Sequence, residues 1–120
     1  MQGELEIQGL DTAQGLALFG FDTELYLSVL RSYVENTPAI IDNLSYVTQD
    51  TLPDYAIKVH GLKGSSASIG AQKVYQKAAA LECMAKSGDL PGVLDGNTAC
   101  LEDAEQLVKD IQTWLNENVD

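Results

Sequence analysis

Tyr26, Val29, Leu30, Tyr33, Val34, Thr37, Ile40, Ile41 and Leu44 recur at intervals of three and four residues, the spacing that lines one face of a helix. A pattern this long excludes a strand and predicts one helix running to the mid-forties. Pro38 removes a backbone donor there and is expected to kink the helix without disturbing the stripe. Asp22 is the expected N-cap, and Phe21 the apolar staple placed to meet Tyr26.

The same period returns along the chain. A short helix is predicted at 12–19 and ended by Gly20. Another begins near Asp50 or Thr51, takes Pro53 into its first turn, and buries Tyr55, Val59, Leu62, Ser66 and Ile69 before stopping at Gly70. The next covers 71–87, buries Val74, Ala78, Leu81 and Ala85, and ends on "SGD" at 87–89. A last amphipathic helix carries Val93, Leu94, Ala99, Cys100, Leu101, Ala104, Leu107, Val108, Ile111, Trp114 and Leu115. No alternating segment is left over. The expected class is all-α, an antiparallel four-helix bundle with an additional short N-terminal helix. At 120 residues the chain suits one domain over 1–120, with a short lead-in at 1–10.

Several function classes drop out. A net charge of −11 repels nucleic-acid phosphates, so no nucleic-acid partner is expected. The apolar runs are too short to cross a bilayer and "MQGELEIQGL" has no secretory pattern, so a monomer in the cytoplasm without membrane contact is expected. Cys83 and Cys100 match no metal spacing and read as small, reduced core residues. One histidine cannot build a metal site with distant cysteines, and neither a Walker loop nor a glycine-rich nucleotide fingerprint is present, which argues against an autonomous kinase.

The charge is uneven. Between 58 and 86, Lys58, Lys63, Lys73, Lys77 and Lys86 face one acid, Glu82, a local excess of +4 that leaves −15 for the remainder. This basic segment holds the histidine, in "VHGLKGSSASIGA" at 59–71. Glycines 61 and 64 stand inside what reads as a helix, where each costs about 1 kcal/mol relative to alanine. With Val59, Leu62 and Ser66 facing inward, His60, Lys63, Gly64 and Ala67 form the adjoining stripe, expected in solvent. Lys63, one turn on, is placed to meet anionic oxygens held at His60. Gly64 and Ala67 remove side chains that would stand between His60 and a docking surface, whereas Ser65 and Ser66 are expected to turn toward the core for close helix contact. A local rule broken without packing gain marks a functional site. The bland alternative is an incidental imidazole on a structural or adaptor bundle.

"HGLKGSSASIGA" resembles the signature of the histidine-containing phosphotransfer (HPt) domain: His, then Leu-Lys-Gly, small residues and a Leu/Ile-Gly turn. "GLALFGFDTELYLSVLRSYVENTPAIIDNL" at 15–44 looks like that family's opening helices, and "AAALECMAKSGD" at 78–89 like its fourth helix. The resemblance implies a phosphocarrier without its own ATP site, whose partners are receiver domains that supply an aspartyl phosphate and Mg²⁺. By position it implies His60 as phosphoryl acceptor and donor, Lys63 as phosphate-stabilising cation, Gly64 as clearance and Glu82 as the group able to orient the imidazole. Gly61 stands where many members have Ser or Thr. The lead-in "MQGELEIQGLD" resembles the entry to a C-terminal module of a hybrid sensor kinase. The alternative within this frame is a degenerate relative that has lost its relay.

Overall fold

Asp11, Asp22 and Asp89 each turn a carboxylate back onto the N–H three residues on, of Gln14 at 3.0 Å, Leu25 at 3.1 Å and Gly92 at 3.0 Å. Each starts a helix there, a cap worth about 1 kcal/mol. The structure, a computed structural model, describes residues 5–119. Five helices run in order: α1 (Thr12–Leu18), α2 (Thr23–Leu44), α3 (Leu52–Ile69), α4 (Gln72–Lys86) and α5 (Leu90–Asn118), with no strand among the described residues. The chain is an all-α bundle, as its periodicity predicts.

Short turns make the neighbours antiparallel. Gly70 takes φ 81°, ends α3 in the left-handed conformation, and leaves only Ala71 before α4. A Cβ on Gly70 would run into the backbone of Asp11, whose N–H donates to the Gly70 carbonyl at 2.9 Å. Glycine is therefore required twice over, for its dihedral and for the close approach. α3 packs on α4, α4 on α5, α5 on α2 and α2 on α3, closing a four-helix ring, while α1 lies against α3 and α2. α2 runs unbroken through Pro38.

Three buried tyrosines tie the ring together through their hydroxyls. Tyr26 donates to the Ile69 carbonyl at 2.7 Å, Tyr33 bonds Ser66 Oγ at 3.0 Å, and Tyr55 donates to Asn97 Oδ1 at 2.6 Å. Asn97 in turn donates to the Leu44 carbonyl at 2.8 Å, so α2, α3 and α5 meet in one polar chain. Burial pushes the Tyr26 and Tyr33 hydroxyls up to about 12, which keeps both protonated. Around them Leu30, Leu44, Val59, Leu62, Ile69, Val93 and Ile111 are fully buried.

Some expectations are corrected here. Phe21 is no staple: it takes φ 62° so that its N–H can close α1 on the Leu16 carbonyl at 2.7 Å, and that turn points its ring into solvent. Phe19 meets Tyr26 instead, ring centroids 6.3 Å apart. Val29 is half-buried, Leu94 is exposed, and Leu27 joins the core in their place. Cys83 is exposed and only Cys100 is a core thiol. Ser65 is half-buried and bonds its own helix at the Leu62 carbonyl, leaving Ser66 as the serine of the helix contact. Of the lead-in, residues 1–4 lie outside the described residues, and Ile7 is part of the core.

Candidate functional site at the α3–α4 seam

Val59 and Leu62 are sunk in the core, which turns the next stripe of α3 outward. His60 and Gly64 are exposed, and Lys63 and Ala67 are half-buried at the edge of the seam with α4. A Cβ on Gly61 or Gly64 would meet no atom within 4 Å, so neither glycine is there to admit a neighbouring helix.

α4 descends beside α3 and delivers Glu82 opposite His60. Glu82 is only 4% exposed, and its carboxylate takes three donors. Oε1 takes Lys63 Nζ at 2.6 Å; Oε2 takes both His60 Nδ1 and Lys86 Nζ, each at 2.8 Å. The ammonium groups of Lys63 and then Lys86, and after them His60, hold the carboxyl down to about 2 against the opposing effect of burial. Lys63 is raised in return, chiefly by its hydrogen bond to Glu82. An ionised carboxylate only accepts hydrogen bonds, so Nδ1 is the donor, and in the neutral ring the lone pair sits on Nε2. The seam thus presents an exposed imidazole whose Nδ1 is tied to a buried carboxylate.

Beside His60, toward the start of α3, lies an open groove of about 490 Å³ lined by Pro53, Ala56, Ile57, Glu82, Ala85 and Lys86 together with the imidazole. Ile57 exposes its side chain there. Among the described residues no group of three or more His, Cys, Asp or Glu side chains is placed to hold a metal ion.

The local excess of lysines is smaller in space than along the chain. Lys58 pairs with Asp54 at 2.8 Å, while Lys73 and Lys77 both pair with Asp103 of α5. That leaves Lys63, Lys86 and Glu82 to set the field at His60. Lys86 is the site member that sequence reasoning missed as such. Its signal is the Glu82–Lys86 spacing of four, which puts both on one face of α4.

The ion cluster has a pH signature. A carboxyl held below its ordinary value stabilises the fold fully above that value and loses the contribution as protons return. For Glu82 the contribution is complete above pH 4.5 and is lost as the pH falls through about 2. Chemical denaturation of wild type and Glu82→Gln at stepped pH should show a gap between the two that narrows across this window. A gap independent of pH would count against the cluster.

A family model described as the Hpt domain matches residues 28–114. Searches of the curated proteins and of the solved structures find no match.

Proposed function

The chain belongs to the Hpt domain family of two-component phosphotransfer modules, and from that premise we propose that His60 is the residue that takes a phosphoryl group from the aspartyl phosphate of one receiver domain and passes it to another. The observation that carries this reading is the hydrogen bond from His60 Nδ1 to buried Glu82, which in the neutral ring puts the lone pair on Nε2 of an exposed imidazole.

In the step proposed, the Nε2 lone pair attacks phosphorus in line as the bond to the aspartyl oxygen breaks, and the departing carboxylate keeps the electron pair. The Nδ1 proton stays on the ring. The product is a phosphorylated imidazolium whose positive charge falls on the N–H that Glu82 accepts, so the carboxylate favours the product and fixes the ring orientation at once. Phosphoryl transfer depends mostly on positioning and charge stabilisation. A lone imidazole among lysines suffices if the receiver brings its own acid cluster and Mg²⁺. Lys63 adds positive charge one turn along, anchored on Oε1. Gly61 and Gly64 keep the approach open, with Ala67 beyond them. The setting proposed for the module is a phosphorelay that includes a hybrid sensor kinase.

Incubation with a receiver carrying labelled aspartyl phosphate tests the proposal. One phosphoryl group per chain should appear on this protein and leave again when an unphosphorylated receiver is added. No uptake would sink the relay and favour the adaptor.

A further inference from the structure

Two lysines share Glu82, and they are held differently. Lys63 reaches Oε1, the oxygen that His60 does not use, from a side chain 26% exposed in the seam. Lys86 reaches Oε2, the oxygen that also receives the imidazole N–H, from a side chain 66% exposed. It lines the groove with His60 as well. From this asymmetry we infer that Lys86, and not Lys63, is the ammonium that turns onto the phosphoryl oxygens once His60 carries the group, while Lys63 keeps Glu82 seated.

The inference rests on His60 being the acceptor and assigns the cation of that same site. When Lys86 swings away, Oε2 is not orphaned. Its remaining partner, the Nδ1–H, has just become part of a cationic ring and donates more strongly than before. Lys63 has no such exchange open to it, since leaving Oε1 would uncover a buried carboxylate oxygen. Lys86 is thus a cation on a flexible and mostly exposed stem, free to move without cost to the packing.

Phosphoramidate separates this role from receiver docking, because a small phosphodonor needs no protein surface. Nε2 attacks its phosphorus, the P–N bond breaks, and ammonia leaves with the electron pair. Lys86→Ala should take up label about tenfold more slowly than wild type, less than the loss of a buried oxyanion donor because water screens an exposed ammonium. Lys86→Arg should restore most of the rate. In the unphosphorylated protein Lys86→Ala should keep the proton on Nδ1 of the neutral ring, read from the ring-nitrogen NMR shifts, because Lys63 still seats the carboxylate, whereas Lys63→Ala should disturb that tautomer as the carboxylate loosens. Wild-type uptake by Lys86→Ala overturns the inference. So does a slow Lys86→Ala that loses the Nδ1–H tautomer as Lys63→Ala does, since Lys86 would then act only through Glu82. Absence of label on His60 in the wild type overturns both this and the relay itself, and is seen before any variant is compared.

Discussion

His60→Gln should take up no label from a phosphorylated receiver and should keep its helical content. Both halves follow from geometry. The imidazole projects from α3 into solvent, and its one hydrogen-bond partner is a carboxylate already held by two lysines, so removing the ring opens no cavity and orphans no buried atom. Glutamine is a good helix former and its amide can donate to Glu82. It supplies no lone pair with imidazole's nucleophilicity. The wild-type product should be a phosphoramidate, labile in acid and stable in alkali, which would separate it from a seryl ester on the nearby Ser65 or Ser68. Label that survives the substitution would name another acceptor.

The second large effect is expected at Gly64, and it sets stability against transfer. A side chain there meets no atom of this protein, so Gly64→Gln should raise stability by roughly 0.5–1 kcal/mol through helix propensity alone. The new side chain stands one turn from His60 on the exposed stripe, where the proposed receiver must approach to bond distance. Transfer from the receiver should fall steeply while the melting temperature rises. Labelling by phosphoramidate should change far less, because that donor is small. A variant that transfers as fast as wild type would mean that the glycine serves no partner, and one that unfolds would contradict the open space around it.

These expectations draw on features that were legible to different degrees. The α3 stripes could be read directly: a period of 3.6 with Val59, Leu62, Ser66 and Ile69 inside dictates that His60 and Gly64 point out, and all do so. The stop at Gly70 was equally plain. Glu82 was reachable only through the family resemblance, because which residue of α4 faces His60 depends on how the two-residue link through Gly70 and Ala71 sets one helix against the other. Lys86 follows from Glu82 once that register is known. Cys83 was misread for the mirror reason. One residue past Glu82 is a rotation of about 100° around the helix, enough to turn a small apolar residue from seam to solvent. Phe21 was misread because two successive left-handed residues, Gly20 and Phe21, close α1, and aromatic residues rarely adopt that conformation.

The contact between Asp11 and Gly70 bears on how this module can be cut and grafted. The family model's match begins at residue 28 and ends at 114, but the packing observes neither border. Ile7, Tyr26 and Leu27 lie before it and Leu115 after it, all within the core, and the α3–α4 turn that aligns Glu82 with His60 leans on the backbone of Asp11. A fragment trimmed to the recognisable stretch would keep every reactive side chain and lose part of the frame that holds two of them in register. For anyone transplanting the relay into another protein, the portable unit starts with the lead-in rather than with the motif.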